Sequence, residues 1–279
     1  MTIREAVDLF KQHQKGNAAK NTLRSYGRFL EQLQVRVSEK EVVSVSPDDI
    51  GALLDECTEG LGRSTRYLRY AQIKAFFNYI IEATALNIKS PCNTASLSKT
   101  FKIVQHRPRQ ILDKETVDEI IFKSKSTRDR LILELQARCG LRIGEVLKLR
   151  ASDIHGRKLI IHEPKSGRDE EIAFMPEHIA VRLSEYVVSC KLAPGDRVFP
   201  ICYSTAWNIV TGLGMKLNVR ISPHDLRRHS ATYASRNGVP LEIISKVLLR
   251  HQDLKTTQVY LGKISDTEAI RWMDMLHGK

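Results

Sequence analysis

Only one stretch of this chain, residues 158–174, shows the alternation of apolar and polar residues that predicts paired β-strands. The two strand candidates are Lys158–His162 and Glu170–Phe174. Five residues typical of turn regions lie between them: Pro164, Lys165, Ser166, Gly167 and Arg168. Elsewhere the apolar residues recur at helical spacing, so the sequence predicts a mainly α fold with a small β-hairpin.

Residues 1–90 contain several helix start signals and no convincing strand pattern. Asn21 is a candidate cap for one helix. Ser46 followed by Pro47 is a candidate start for a second helix, and Ser64 for a long third one. Together these signals predict a four-helix module.

Residues 91–112 contain no acidic side chain, and Pro91 and Pro108 interrupt regular structure there. We therefore expect a basic linker over this range. Residues 113–279 then form a second domain of mixed α and β structure. In that domain we expect Asp113 to cap the first helix and Gly140 to end the next one.

The chain is basic in both halves. Its 44 Lys and Arg side chains outnumber its 32 Asp and Glu side chains, which gives a formal net charge of +12. This charge suits a polyanionic partner such as double-stranded DNA, although a soluble protein can also be basic without such a partner. Two basic domains joined by a basic tether could enclose a duplex.

Several basic side chains on predicted helices and in the linker are candidates for contacts with DNA phosphates. The alternative is that they form an ordinary solvated helix face or, for Arg228, that the side chain packs within its own domain. The candidates are Arg63, Arg66, Arg69, Lys74, Lys102, Arg107, Arg109 and Arg228.

The five cysteines are far apart in the sequence and include no CxxC pair. This pattern favours reduced thiols and a cytoplasmic protein over a disulfide framework. The apolar stretches are shorter than the roughly 20 residues that span a bilayer, and residues 1–10 lack a signal-peptide core. We expect neither export nor membrane insertion.

Four separate segments carry residues that suit attack on a phosphodiester. They are Gly140-Leu-Arg-Ile-Gly-Glu145, Pro164-Lys-Ser-Gly167, His224-Asp-Leu-Arg-Arg228, and His251 followed nine residues later by Tyr260. Each segment alone is a weak signal, whereas the combination in this order is specific. The combination closely resembles the tyrosine recombinase (phage integrase) family, and the resemblance covers essentially the whole chain.

The resemblance implies a helical core-binding domain in front of an α+β catalytic domain. It also implies site-specific DNA recombination through a 3′-phosphotyrosyl intermediate and a four-way junction, by a tetramer on two DNA sites. The catalytic residues that it implies are Arg142, Lys165, His224, Arg227, His251 and the nucleophile Tyr260. The sequence departs from the family pattern at Arg250, since glycine is usual just before this histidine.

The residue types fit the chemistry. Attack on a phosphodiester places extra negative charge on the two non-bridging oxygens, which Arg142 and Arg227 can meet with paired hydrogen bonds. Imidazole hydrogen bonds from His224 and His251 can add to this stabilisation. Because the pKa of a free phenol is about 10, Tyr260 needs a base or a positive field in order to attack.

Lys165 is our candidate acid for the departing 5′ oxygen. The phosphotyrosyl ester retains the bond energy of the phosphodiester, so rejoining requires neither ATP nor a metal ion. We therefore expect no cofactor. Glu145, three residues after Arg142, is expected to orient that arginine or to form an ordinary exposed helix pair with it, and Asp225 to cap the helix of Arg227.

Other interpretations remain open from the sequence. His224, His229 and His251 could instead bind a metal, although no Cys or acidic partner completes a usual ligand set. A type IB topoisomerase uses similar chemistry, and a DNA-binding protein that has lost catalysis is a third possibility. Near the carboxyl end, Ile270, Met273 and Leu276 predict an apolar helix stripe, which packs on its own chain or is exchanged with a neighbouring protomer.

Overall fold

The computed structural model describes residues 1–17, 20–102, 111–164, 167–261, 270 and 273–275, without the side chains of residues 17, 20, 259 and 260. The chain divides into two compact units, residues 1–107 and 108–279. Helices dominate both units, and one small antiparallel sheet lies in the second. The expected mainly α fold with a small sheet is therefore confirmed.

The first unit contains five helices among its described residues: α1 (Ile3–Asn17), α2 (Lys20–Val37), α3 (Pro47–Cys57), α4 (Arg63–Ala83) and α5 (Ala95–Thr100). Ser46 caps α3, and the Asp49 carboxylate accepts in return from the Ser46 backbone amide at 3.0 Å. This reciprocal pairing is the reason why the Ser46-Pro47 signal was reliable. By contrast, Asn21 and Ser64 lie inside α2 and α4, so neither is the cap that we predicted.

An aromatic cluster organises the core of the first unit. The Phe10 ring lies 5.3 Å from Tyr26, 5.5 Å from Phe76 and 5.4 Å from Tyr79 between centroids. These contacts join α1, α2 and α4, and burial of large aromatic rings is a major source of stability for a small helical unit.

The segment expected to be a linker is partly folded. Thr94 caps α5, and Leu97 and Phe101 are buried in the core of the first unit. Residues 91–101 are therefore packed structure, because apolar side chains four residues apart share one helix face. At the other end, Leu112 is buried in the second unit. Arg107 and Arg109 lie outside the described residues.

The second unit contains α6 (Lys114–Phe122), α7 (Thr127–Ala137), α8 (Ile143–Lys148), α9 (Glu177–Ser189), α10 (Tyr203–Met215), α11 (Pro223–Arg236), α12 (Leu241–Ile243) and α13 (Leu254–Leu261). A π-helical turn, Ile244–Leu248, continues α12. Asp113 caps α6 as predicted, since its side chain accepts from the Thr116 amide at 2.6 Å. Of the predicted terminal helix stripe, Ile270 and Met273 are described and exposed, and Leu276 lies outside the described residues.

The sheet has the strand order β1 (Ile154–His155), β2 (Lys158–His162), β3 (Glu170–Phe174), and all neighbours are antiparallel. Both predicted hairpin strands have the bounds expected from the sequence, with Lys158 opposite Phe174 and His162 opposite Glu170. Leu159, Ile161 and Ala173 face the core. The residue that breaks this pattern is Glu171, which is a carboxylate at an inward position and only 7% exposed.

Gly140 shapes the end of α7. It adopts a left-handed φ of +64°, and the Leu141 amide donates back to the Leu135 carbonyl at 3.1 Å. This is a glycine helix terminator of the kind predicted from the sequence. The sharp turn directs the chain into α8 with Arg142 at its start.

Candidate active site

Four of the sequence-predicted site residues line one cavity in the second unit, of about 460 Å³: Arg142, His224, Arg227 and His251. They come from three places in the chain, which are the start of α8, the first turns of α11 and the loop before α13. Tyr203 and Trp207 from the start of α10 also line the cavity, and sequence analysis did not single them out. These two residues are 54% and 39% exposed in the structure, a property that the sequence does not reveal.

Glu145 holds Arg142 in place. Its carboxylate accepts from the Arg142 backbone amide at 2.8 Å and from Arg142 Nη1 at 2.7 Å. Burial raises the pKa of Glu145, but the positive charge of Arg250 and the hydrogen bond from the Arg142 amide outweigh this effect, so that its pKa lies below the ordinary value. Glu145 is thus an anion that fixes the guanidinium at the cavity edge.

Arg227 is the most deeply placed cation of the site, only 1% exposed. Its Nη1 donates to the Gly140 carbonyl and its Nη2 to the Leu249 carbonyl. These bonds join the turn after α7 to the turn before His251. Because a guanidinium is planar, two carbonyl partners fix the orientation of the whole group.

His251 is buried and lies between Arg227 and α13. Its Nε2 lies 3.3 Å from Arg227 Nη2, and its Nδ1 lies 2.9 Å from the Thr257 hydroxyl oxygen. Since a guanidinium can only donate, we assign Nε2 as the acceptor and place the ring proton on Nδ1, which donates to Thr257. Burial, followed by the charges of Arg227 and Arg142, lowers the pKa of His251 to about 4.

His224 is exposed at the mouth of the same cavity, in the first turn of α11. Asp225 beside it accepts from the Ser222 amide at 2.9 Å and the Ser222 hydroxyl at 2.6 Å. Asp225 therefore supports the start of α11, although the cap residue itself is Ser222 and not Asp225 as predicted. The role of Asp225 is structural, as preferred from the sequence.

Two of the predicted site residues lie wholly or partly outside the described residues. Lys165 lies outside the described residues. Tyr260 lies in α13, but its side chain is likewise outside the described part. The backbone of α13 places Tyr260 three residues after Thr257, which is nearly one helical turn.

Arg250 has a larger role than the sequence indicated. Its Nη2 lies 2.5 Å from Glu145 Oε2, and its Nε lies 3.4 Å from Glu171 Oε2. It has a left-handed φ of +52°. One signal for this contact was present in the sequence, namely the acidic Glu171 at an inward strand position, which requires a buried partner.

The candidates for DNA contacts differ in their surroundings. Arg63 and Lys102 are exposed, and Lys74 is partly buried. Arg66 pairs with Asp55 at 2.7 Å, and Arg69 donates to the Ser25 carbonyl at 3.2 Å, so both have partners within the unit.

Arg228 differs from the other candidates because it is buried and pairs with Asp225 at 2.8 Å. These contacts fit the alternative of packing within its own domain, and a contact with DNA stays a prediction.

His229 does not join the other histidines. It is buried, and its Nδ1 lies 3.0 Å from the Leu112 carbonyl oxygen. Within the described parts of the chain, no three His, Cys, Asp or Glu side chains are grouped as metal ligands. No described helix is long and apolar enough to cross a bilayer.

Two family models match this sequence. Residues 110–265 match the phage integrase family, and residues 7–84 match the phage integrase N-terminal SAM-like domain. A tyrosine recombinase of Pseudothermotoga lettingae is 30% identical over 200 residues, which cover 69% of this chain and 68% of that protein.

Solved structures share the fold at low sequence identity. The Tn1549 transposon integrase in complex with transposon right end DNA superposes with a TM-score of 0.78 and 17% identity, over 99% of both chains. A lambda integrase tetramer bound to a Holliday junction superposes with a TM-score of 0.71 and 15% identity, over 91% of this chain and 78% of that one.

Proposed function

The chain belongs to the phage integrase family, and we propose that it is a tyrosine recombinase that cleaves and rejoins DNA at specific sites through Tyr260. The observation that carries this proposal is the convergence of Arg142, Arg227, His224 and His251 on one cavity. These side chains come from three separate motifs, and a basic cavity of this kind suits the phosphate at which a strand is cut.

The two arginines have different roles in this proposal. Arg142 has a side chain that is 28% exposed, so it can reach a phosphate at the cavity edge without losing its contact with Glu145. Arg227 lies behind it, held by two backbone carbonyls. Both groups are positioned before the substrate arrives, so little reorganisation is needed when negative charge develops on the phosphate.

The same positive field promotes attack by Tyr260. A neutral phenol is a weak nucleophile, and nearby guanidinium groups favour its ionised form. His251 is neutral in the free protein because its pKa is about 4. A bound phosphodiester brings negative charge next to the imidazole, which raises the pKa of His251 and favours the protonated form that can donate to the phosphate.

Lys165 completes the proposed set as the acid that protonates the 5′ oxygen. It lies in the sequence between β2 and β3, which hold the two ends of its segment 162–170 next to each other. The product of the first step is a 3′-phosphotyrosyl ester and a free 5′ hydroxyl. A 5′ hydroxyl from a second strand reverses the step, so that no external energy source is consumed.

We propose that four copies act together on two DNA sites through a four-way junction, as the fold shared with the lambda integrase tetramer suggests. Ile270 and Met273 are 61% and 56% exposed, which supports docking of the terminal residues on a neighbouring copy. The proposed substrate and the five unpaired cysteines favour a cytoplasmic location.

The test is capture of the covalent intermediate. A library of duplexes with a randomised site and a nick just beyond it loses the short 5′-hydroxyl fragment after cleavage, which traps the adduct. We expect wild-type protein to yield adducts linked through the DNA 3′ phosphate, and sequencing of these adducts identifies the site. Tyr260→Phe should bind the selected duplex with unchanged affinity and form no adduct.

Two outcomes contradict the proposal. An adduct of undiminished yield in Tyr260→Phe removes the assigned nucleophile. If the wild-type protein relaxes supercoiled plasmids but never joins two selected sites, the reaction is that of a topoisomerase instead.

A further inference from the structure

Arg250 occupies a backbone conformation that an L-amino acid with a large side chain rarely adopts. Its φ is +52°, in the left-handed region that favours glycine. The next residue is His251, so the position must turn the chain sharply at the edge of the site. A residue with this local cost persists when other contacts of its side chain compensate for it.

Those contacts are buried and charged. The Arg250 side chain is only 3% exposed, and Nη2 lies 2.5 Å from Glu145 Oε2. Its Nη1 donates to the Leu248 carbonyl at 3.0 Å. On the opposite side, Nε faces Glu171 Oε2 at 3.4 Å. One guanidinium thus lies between two buried carboxylates from α8 and β3.

The two carboxylates depend on Arg250 to different degrees. The Oε2 atom of Glu171 is buried and has no hydrogen-bond partner among the described residues, so its charge is compensated through the ion pair with Arg250. Glu145 pairs with Arg250 at 2.5 Å and with Arg142 at 2.7 Å, and Arg227 Nη1 lies 4.0 Å from it, so Arg250 is one of three cations around this carboxylate. Loss of Arg250 leaves a buried carboxylate uncompensated, which is strongly unfavourable.

The two contacts connect parts of the site that are far apart in sequence. Glu145 fixes Arg142, while Glu171 belongs to β3, the strand that follows the segment carrying Lys165. Arg250 itself precedes His251. A single side chain therefore links α8, the sheet and the histidine loop.

We propose that Arg250 is a positioning residue for the transesterification. It holds Glu145 in place, and thereby Arg142, and its contact with Glu171 links β3 to the site. This inference rests on the proposed recombinase function. Arg250 also lines the cavity, but its side chain is buried and its donors are directed at Glu145, Leu248 and Glu171, so its role is to position these groups.

The experiment compares four proteins on one nicked duplex selected with the wild type: wild type, Arg250→Gly, Arg250→Lys and the double variant Arg250→Gly/Glu171→Gln. Adduct formation is measured in a single turnover as a function of protein concentration. This yields the rate at saturation and the concentration for half-saturation separately. Circular dichroism melting checks that each variant is folded.

We expect Arg250→Gly to lower the saturating rate by about tenfold or more, with a half-saturating concentration within about twofold of wild type. Glycine relieves the left-handed strain, so a loss of rate comes from the missing guanidinium. In the same background, Glu171→Gln removes the buried charge that has lost its partner. The saturating rate of this double variant should be at least about threefold higher than that of Arg250→Gly. Arg250→Lys keeps a charge but cannot contact both carboxylates, and should fall between wild type and Arg250→Gly.

The proposal is overturned if folded Arg250→Gly cleaves at the wild-type saturating rate, if the loss appears only as weaker DNA binding, or if Glu171→Gln gives no recovery. If Arg250→Gly does not fold, Arg250→Lys decides, and a wild-type saturating rate in that variant overturns the proposal. Failure of the recombinase function itself is distinguishable, because then the wild-type protein forms no adduct that depends on Tyr260.

Discussion

The imidazole Nδ1 of His251 lies 2.9 Å from the hydroxyl oxygen of Thr257, inside the protein. Thr257 is fully buried in α13, the helix that carries Tyr260 three residues later. The hydrogen bond therefore joins a histidine that lines the cavity to the helix of the proposed nucleophile. It also fixes the tautomer of His251, because the ring nitrogen that faces Arg227 must accept.

Thr257→Val tests this connection. Valine keeps the shape of threonine and removes the hydroxyl, so that Nδ1–H of His251 becomes a buried donor without its acceptor. We expect the single-turnover rate of adduct formation to fall by about tenfold, which corresponds to about 1.4 kcal/mol. Affinity for the selected duplex should be unchanged, because Thr257 is buried and does not face solvent.

Thr257→Ser is the matched control, since serine retains the hydroxyl and loses only a methyl group. It should cleave faster than Thr257→Val at equal concentration. A serine variant that cleaves more slowly than the valine variant would show that packing of the methyl group, and not the hydrogen bond, determines the effect.

The local part of the fold was predictable from the sequence. The strands around residues 160 and 172 were predictable because apolar and polar residues alternate there with a period of two. The caps Ser46 and Asp113 were predictable because a single side chain can accept from a free amide in the first turn of its helix. The short α5 was missed, although Thr94 is a cap signal, because the prolines and the lack of acidic residues dominated the interpretation of residues 91–112.

The partners of the site were predictable only where they are close in sequence. Arg142 is the cap residue of α8 and Glu145 is the third residue of that helix, so the local geometry of a helix start brings them together. Arg250 and Glu145 are separated by 105 residues, and only the packed second unit places them at 2.5 Å. The left-handed backbone at Arg250 could not be predicted from the sequence either, because arginine rarely adopts that conformation.

The pKa of His251 makes the stability of the protein depend on pH. In the folded protein this pKa is about 4, against an ordinary histidine value of 6.5. The unfolded chain therefore takes up a proton between these values while the folded protein does not. Stability from this group is fully present above about pH 6.5 and is lost as the pH falls towards 4.

Melting temperatures at pH 7.5 and pH 5.0 measure this effect. We expect the wild-type Tm to be lower at pH 5.0, and the difference to be smaller in His251→Gln, which has no titrating group at this position. Some pH dependence should remain, because burial also lowers the pKa of His229. An identical decrease in both proteins would contradict the low pKa of His251.

Gly140 is the residue whose replacement should affect both stability and cleavage. An alanine Cβ at this position would lie 2.8 Å from the Leu248 carbonyl oxygen, and the backbone φ of +64° is unfavourable for alanine. The obstacle is backbone, so a side-chain rotation cannot remove it. We expect Gly140→Ala to destabilise the protein by at least about 1–2 kcal/mol in denaturant unfolding. The Gly140 carbonyl also accepts from Arg227, so adduct formation should be slower at saturating DNA.

Gly212→Ala provides the comparison for Gly140→Ala. Gly212 lies within α10, and a Cβ there meets no atom within 4 Å. Alanine is favoured over glycine inside a helix by roughly 0.5–1 kcal/mol, so this variant should be as stable as the wild type or more so. If Gly140→Ala unfolds at the same denaturant concentration as Gly212→Ala, then the close approach of Gly140 to the Leu248 carbonyl does not constrain the fold.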